Sequence, residues 1–380
     1  MIFPALFICI LYSVLILYFA KGFDLLKEPL VAGDTAQTQF SILIPFRNET
    51  DQLPGLLQSL GAIAYPKSKM EIILINDQSD DGFAPIINDF ISKHEDLSVK
   101  LIHSKPVSSA PKKEAIEQGI RIAAYPWIIT TDADCLVPAN WLRAFDICIR
   151  LEKPKMIAAP VTFLSGKGSL HQFQLLDFLS LQGATIGSFG MKGKWMIRPF
   201  LCNGANLCYE KKAFVEVNGY EGNLEIASGD DIFLLEKMYD NFPEQVRFLK
   251  SSEAIVHTAA AKSWKELIIQ RIRWASKTSS YSNSFGKMVG LLVFGTNMTL
   301  IILFVLTLLN RFSWTHFGLL FIIKFNVDFL LLYKTAVFFN QKEVLRSYFL
   351  SSIVHPFYTV MVAIFSFKKS YSWKGRYYKK

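Results

Sequence analysis

The chain has 380 residues, 51% of them hydrophobic, and a formal net charge of +9. Its mean hydropathy of +0.26 is too high for an ordinary soluble protein and too low for one embedded throughout in a bilayer. No recognised basic–aromatic motif accompanies the charge, which argues against a nucleic-acid partner. Five cysteines (Cys9, Cys135, Cys148, Cys202, Cys208) without a C-x-x-C pair argue against a zinc site and fit a reducing compartment.

Residues 1–20 carry no charge, and Lys21, Asp24 and Lys27 follow at once. The stretch lacks a basic n-region and a small-residue cleavage site, so it reads as an uncleaved anchor whose C-terminal end faces the cytoplasm. After a polar linker, "FSILIPFRNE" gives an apolar run from Phe40 to Ile44 that Pro45 ends, and Leu53, Leu56, Leu57 and Leu60 recur at helical spacing. "MEIILIND" is a second apolar run ending on Asn76 and Asp77, and "LSVKLIH" a third ending on His103. The helical stretch "PKKEAIEQGIRIAA" precedes "WIITTDADC". Short strands alternating with helices predict a parallel α/β sheet, in which ligands bind beyond the carboxyl ends of the strands. Arg47-Asn48-Glu49, Asn76-Asp77, His103 and the pair Asp132/Asp134 cluster at those ends. Any single acid there reads first as a turn or cap residue, Asp77 and Asp81 included; the recurrence at successive strand ends points to a ligand site. Two carboxylates on one tight turn suit a hard divalent cation whose other ligands are phosphate oxygens and water, offsetting charge on a leaving diphosphate.

"SILIPFRNE", "ILINDQSDDG", "TTDADC" and "QRIRW", in that order, resemble the family 2 glycosyltransferases of GT-A fold. Within them they resemble the membrane-bound branch with a (Q/R)-x-x-R-W motif, which includes cellulose, chitin and poly-N-acetylglucosamine synthases and ceramide glucosyltransferases. The resemblance covers residues 38–280. It implies an α/β, Rossmann-like GT-A domain that binds a nucleotide sugar, flanked by transmembrane helices: an anchor at 1–20, the GT-A domain at 35–286, a membrane region of two or three helices at 287–367 and a basic tail at 368–380. It further implies nucleotide contacts from Pro45, Arg47, Glu49, Asp77, Asp81, Lys113 and Asp132, and Mg²⁺ or Mn²⁺ held by Asp132 and Asp134. Asn76 stands where the family usually has an acid, and its amide can still hydrogen-bond a base without the charge. Lys113 also admits the plain reading of a solvated helix start.

Residues 201–222, "LCNGANLCYEKKAFVEVNGYEG", resemble the family's acceptor side, with Asn203, Gly204 and Asn206 as contacts to sugar hydroxyls; an ordinary turn explains each of them equally. In "ASGDDIFLLEKM" an acid before an apolar helical run is an N-cap by default. The resemblance makes the pair Asp230-Asp231 the source of a catalytic base that takes the acceptor hydroxyl's proton in an inverting transfer. Either register is open, and an Asp-x-x-Leu spacing favours Asp231. "SWKELIIQRIRWASK" places Trp264, Leu267 and Ile268 on one helical face, as an interfacial amphipathic helix would. The resemblance instead assigns Gln270, Arg271, Arg273 and Trp274 to diphosphate and acceptor, with guanidinium forks suited to phosphate oxygens and the indole forming a pocket face. The stretch 182–200, "QGATIGSFGMKGKWMIRPF", reads either as a membrane-lying element that admits a lipid acceptor or as a mobile loop.

Residues 288–309 and 347–367 are charge-free, each long enough for the roughly 20 residues of a bilayer span. Residues 315–339 carry Lys324, Asp328 and Lys334, the first two one turn apart and able to neutralise each other. The tail "FKKSYSWKGRYYKK" belongs on the cytoplasmic side by its charge, or against anionic headgroups. Three spans after a cytoplasmic domain would put it outside, so one of the last three segments is expected not to cross, with His355-Pro356 and Lys324/Asp328 marking the suspects.

The sequence therefore predicts an integral protein of an inner or plasma membrane with a cytoplasmic catalytic domain. It would transfer a sugar from a nucleotide-sugar donor, a UDP-sugar first, to a lipid or lipid-linked acceptor, because three or four spans are few for a polymer-exporting pore. A polysaccharide synthase (poly-hexose or poly-N-acetylhexosamine) working with a partner subunit is the alternative. From another class, a non-catalytic nucleotide-sugar-binding membrane scaffold would have no need of a base. A nucleotidyltransferase would share the metal motif but not the Arg-Trp helix.

Overall fold

The computed structural model describes the chain apart from residues 1, 30–35, 106, 195–196, 227–228, 368–369, 374–375 and 380. Two compact units interleave along the sequence. An α/β unit comprises Lys27–Leu164, Cys202–Ala259 and Ser370–Lys380; a helical unit comprises Met1–Leu26, Ser165–Leu201 and Ala260–Lys369. Segments 165–201 and 260–286, which the sequence assigns to the GT-A domain, thus cluster with the apolar helices.

The strands of the α/β unit are β1 (Phe40–Phe46), β2 (Met70–Asn76), β3 (Ser98–His103), β4 (Trp127–Thr130), β5 (Cys135–Leu136), β6 (Met156–Ala158), β7 (Val161–Phe163), β8 (Leu207–Glu210), β9 (Val246–Phe248) and β10 (Val256–Thr258), followed by the hairpin β11 (Ser370–Trp373) and β12 (Arg376–Lys379). The side chains of that hairpin, and with them the charges of the basic tail, lie outside the described residues. In chain order the helices are α1 (Ile2–Leu25), α2 (Leu53–Gly61), α3 (Ala84–Lys93), α4 (Pro111–Ile122), α5 (Trp141–Glu152), α6 (Ser169–Gly190), α7 (Lys211–Glu216), α8 (Asp230–Asn241), α9 (Trp264–Ala275), α10 (Ser284–Leu308), α11 (Trp314–Phe338) and α12 (Tyr348–Phe365). Helices α2–α5, α7 and α8 belong to the α/β unit and the others to the helical unit.

A seven-stranded sheet runs in the order β3-β2-β1-β4-β8-β6-β9. The first four strands are parallel, and β1 and β2 are buried along their whole length. That is why they read as nearly continuous apolar runs, as strands covered on both faces do, interrupted by Ser41 and Glu71, which are buried and hydrogen-bonded to each other. The expected parallel sheet ends there: β8 runs antiparallel to both β4 and β6, so the sheet is mixed. Hydrophobic periodicity marks a strand without giving its direction. Direction follows from the connection, and the chain leaves this unit between Leu164 and Cys202. A second sheet, β5-β10-β7, takes up the chain immediately after β4. The turn 131–134 thus joins strands of two different sheets.

Within the helical unit, α1 and α6 cross at glycines. A Cβ on Gly190 would lie 1.9 Å from the carbonyl oxygen of Gly22, and one on Gly187 would lie 2.4 Å from that of Phe19. Residues 182–190, part of the stretch read either as a membrane-lying element or as a mobile loop, form the last turns of α6, where glycines spaced four and three apart make a packing stripe on a helix face. Among the described residues, four helical segments are long and apolar enough to cross a membrane: Ile2–Leu25, Ser284–Leu308, Trp314–Phe338 and Lys342–Phe365. Both features expected to mark a non-crossing segment lie in continuous helix. Lys324 pairs with Asp328 at 2.6 Å, Tyr12 donates to the same carboxylate at 2.7 Å, and Pro356 sits inside α12 without ending it.

Candidate active site

The loops after β1 and β2 are tied together at the carboxyl edge of the sheet. Arg47 Nη1 donates to the carbonyl oxygens of Asp77 at 2.9 Å and Gln78 at 2.8 Å, and Asp81 Oδ2 accepts from the Thr50 amide at 2.8 Å. Asn48 and Gln78 take φ of 50° and 56°, left-handed turns that shape this edge. Pro45 lies inside β1, opposite Ile75, and the Glu49 carbonyl accepts from the Gln52 and Leu53 amides to start α2. Asp77 is buried at the end of β2, with its amide donating to Phe46 O at 2.8 Å. Asn76 serves the turn: Oδ1 accepts from the Ser79 amide at 2.8 Å, and Nδ2 lies 3.0 Å from His103 Nδ1. Arg47, Asp77 and Asp81 are therefore brought to one edge.

Asp132 and Asp134 occupy the turn between β4 and β5. Thr130 at the end of β4 donates to Gly204 O at 2.8 Å, which draws the segment before β8 against the acids. Gly204 N donates to Asp231 Oδ2 at 3.2 Å, and Asp231 Oδ1 accepts from the Ile232 amide at 2.8 Å. Asp230 and Asp231 stand in the first turn of α8, where the helix dipole favours negative charge. A Cβ on Gly204 would come within 2.9 Å of Asp230 Oδ2, so a larger residue there would have to displace that carboxylate.

The cation at the centre is Lys112, which the sequence reading missed. Its ammonium lies 2.8 Å from Asp132 Oδ1 and 3.2 Å from Asp230 Oδ2. Burial pushes this lysine down, but the carboxylates of Asp132, Asp230 and Asp231 outweigh it and hold the ammonium well above its ordinary range. Lys113, the expected nucleotide contact, turns inward. Its Nζ donates to Asn223 O at 2.7 Å and Ile226 O at 3.0 Å and stands 4.6 Å from the centre of the Phe233 ring. Burial pushes it down to about 8, against the pull of Asp230 and Asp231. One signal could have found Lys112: the buried stripe Ala115, Ile116 and Gly119 of α4 continues back at helical spacing to position 112.

The acceptor-side asparagines are occupied by the fold. Asn203 Oδ1 accepts from the Ala205 amide at 3.0 Å. Asn206 is fully buried: Oδ1 accepts from Trp141 Nε1 at 2.9 Å, and Nδ2 donates to Pro160 O and Ala254 O, each at 2.8 Å. Both amide hydrogens and the oxygen are engaged, so Asn206 holds the fold.

In the helical unit, α9 starts at a side-chain N-cap, Ser263. Ser263 Oγ accepts from the Glu266 amide at 3.2 Å, and Glu266 Oε2 accepts from the amide of Lys262, the residue before the cap, at 2.8 Å. Leu267 packs with Phe173, Tyr358 and Val362, while Gln270, Arg273 and Trp274 remain partly exposed. Arg271, expected on the diphosphate, is instead 5% exposed and engaged by Asp177 and Gln270, because its helical position faces α6.

Among the described residues, no three His, Cys, Asp or Glu side chains gather into a metal cage. Asp132 and Asp134 offer hard carboxylate oxygens from one turn, with the Cys135 thiol donating to Asp134 Oδ1 at 3.6 Å. A two-carboxylate set fits a cation that takes its remaining ligands from phosphate and water, as Mg²⁺ does.

The fold is of GT-A type: a mixed α/β sheet with acids gathered at the carboxyl ends of its central strands. The profile described as "Glycosyl transferase family group 2" matches residues 127–340, and that of "Glycosyl transferase family 2" matches residues 41–145. The chain belongs to this glycosyl transferase family. It is 25% identical over 240 residues to a probable glycosyltransferase, YdaM, of Bacillus subtilis, covering 62% of this chain and 54% of that protein. It is 24% identical over 268 residues to the poly-β-1,6-N-acetyl-D-glucosamine synthase of Staphylococcus epidermidis, covering 68% and 59%. The chain thus spans a little over half the length of these relatives. In fold it is similar to a mannosyltransferase of Pyrobaculum calidifontis solved with GDP-Man and Mn²⁺, at a TM-score of 0.60 and 16% identity over 93% of this chain and 97% of that one.

Proposed function

We propose that the protein is an inverting, membrane-anchored glycosyltransferase of the (Q/R)-x-x-R-W branch. It takes the sugar from a nucleotide sugar and delivers it to a lipid or lipid-linked acceptor on the cytoplasmic side. The observation that carries this reading is the cluster around Lys112, whose ammonium touches the donor-side acid Asp132 and the base-side acid Asp230 at 2.8 and 3.2 Å. A binding scaffold has no use for an acid pair held in that place.

In the reaction, the acceptor hydroxyl oxygen attacks the anomeric carbon from the face opposite the diphosphate. The bond from that carbon to the diphosphate oxygen breaks, and the hydroxyl proton passes to a carboxylate. Asp231 suits that task better than Asp230, which is the more deeply buried of the two and paired with Lys112. Lys112 supplies positive charge to the departing diphosphate, and Asp77 reads the base at the end of β2. Asp132 and Asp134 would hold Mg²⁺ or Mn²⁺, which supplies Lewis-acid stabilisation of the leaving group when bound. Arg273 and Trp274 would act on the diphosphate and acceptor from α9. The four apolar helices support membrane residence.

A second reading, a polysaccharide synthase subunit, is favoured by the name of the staphylococcal relative, which also makes an N-acetylhexosamine the first sugar to try. Membranes carrying the full chain are incubated with labelled UDP-N-acetylglucosamine, UDP-glucose and GDP-mannose, with and without chelator, and the product is sized. The expected product is a lipid bearing one sugar, formed only with divalent metal. Long polymer selects the second reading, full activity in chelator refutes the metal role, and absence of transfer from every donor overturns the enzymatic assignment.

A further inference from the structure

We propose that Arg271 and Asp177 form a positioning unit that sets the Gln270 amide and the Trp274 ring of the motif helix α9 in the arrangement needed for transfer. This rests on the reading above that α9 carries residues acting on acceptor or diphosphate.

Arg271 occupies the variable place after the glutamine of the motif, where a surface side chain would suffice. It is instead among the most buried cations described, with side-chain exposures of 6% for Arg271 and 10% for its partner Asp177. A buried charge is retained only where it is paired and hydrogen-bonded, and two of the three guanidinium nitrogens have distinct tasks, while Nη2 is buried without a hydrogen-bond partner among the described residues. Nε donates to Asp177 Oδ2 of α6 at 2.7 Å. Nη1 donates to Gln270 Oε1 at 2.7 Å, a charge-assisted bond that occupies the glutamine's oxygen and leaves its NH₂ as the donor group. The guanidinium carbon lies 4.2 Å from the centre of the Trp274 ring, within cation–π range, and the indole is backed by Phe178 at 6.2 Å. Asp177 is held in turn from a third helix, its Oδ1 being 3.4 Å from His355 Nε2 on α12, and His355 Nδ1 lies 3.3 Å from Thr359 Oγ1. One carboxylate on α6 thus fixes, through one guanidinium, two of the three named side chains of the motif.

The plain alternative is an ion pair that only locks α9 to α6. The two differ in what a lysine can do. Lysine keeps the charge for Asp177 but has no planar fork with which to hold Gln270 and stack on Trp274 at the same time.

The full chain in membranes is compared as unsubstituted protein, Arg271→Lys and Gln270→Ala, using whichever of the three labelled donors gives product. Two quantities are read: sugar transferred to the membrane acceptor, and affinity for the matching nucleoside diphosphate. A positioning role predicts that Arg271→Lys lowers transfer at least tenfold, as Gln270→Ala does, with affinity for UDP or GDP within twofold. Transfer by Arg271→Lys within twofold of the unsubstituted chain overturns the proposal. Should Arg271→Lys fail to assemble, Asp177→Glu keeps the charge and displaces the carboxylate by one methylene. It is expected to give the same split, and full transfer there overturns the proposal equally. Undiminished transfer in Gln270→Ala identifies a different failure, that of the reading of α9 itself.

Discussion

At the scale of single residues, the site depends on two adjacent lysines that face different ways. Lys112 sits among carboxylates, whereas Lys113 is enclosed, its ammonium held by two backbone carbonyls and an aromatic ring. Burial lowers Lys113 from 10.5 to about 8. Between those pH values the unfolded chain holds a proton that the folded chain does not, so Lys113 makes the fold more stable as pH rises through this window, by at most roughly 1.4 kcal/mol per pH unit. The melting temperature of the solubilised chain should therefore gain on that of Lys113→Met between pH 8 and pH 10, and a constant gap would show that Lys113 does not titrate there. The acids were named from the sequence for two different reasons: Asp77, Asp132 and Asp134 because polar residues recur at successive strand ends, and Asp230 and Asp231 because of the family resemblance. The choice between Lys112 and Lys113 was not legible there, since it turns on the 100° that separates neighbours on α4. Asn206 misled for a related reason: an asparagine beside a glycine looks like a ligand contact, and only the fold brings Trp141, Pro160 and Ala254 around it.

At the scale of elements, the parallel half of the sheet and its helices follow from hydrophobic period, and so does α9, from Trp264, Leu267 and Ile268 on one helical face. The end of α6 does not. Its glycines read as loop residues in isolation, and their purpose is visible only once α1 lies against them. A side chain at position 190 would collide with the backbone of Gly22 at 1.9 Å, and backbone cannot move aside as a flexible side chain can. Gly190→Val is expected to destabilise the helical unit by about 1–3 kcal/mol or more, read as a lowered melting temperature and aggregation on size-exclusion chromatography in detergent. A variant as stable and monodisperse as the unsubstituted chain would remove the close crossing from the account.

For the whole molecule, the two units interleave: the chain leaves the α/β unit after Leu164 and again after Ala259. Periodicity and motifs could not reveal this, because α6 and α9 are amphipathic or mixed in composition and resemble ordinary domain helices. Their assignment follows from partners far away in sequence, such as α1 for α6. The interleaving puts the acids of the proposed chemistry on one unit and the Gln270–Trp274 segment on the other, so the account stands or falls on whether the acid pair of α8 performs the proton transfer. The most direct measurement compares Asp231→Asn and Asp230→Asn with the unsubstituted chain for nucleotide-sugar binding and for sugar transfer in the same membranes. The account predicts that Asp231→Asn binds donor within about twofold of the unsubstituted chain while transfer falls by about 10²–10⁴, the range carried by a positioned general base. Turnover retained in Asp231→Asn, with or without loss in Asp230→Asn, would contradict it.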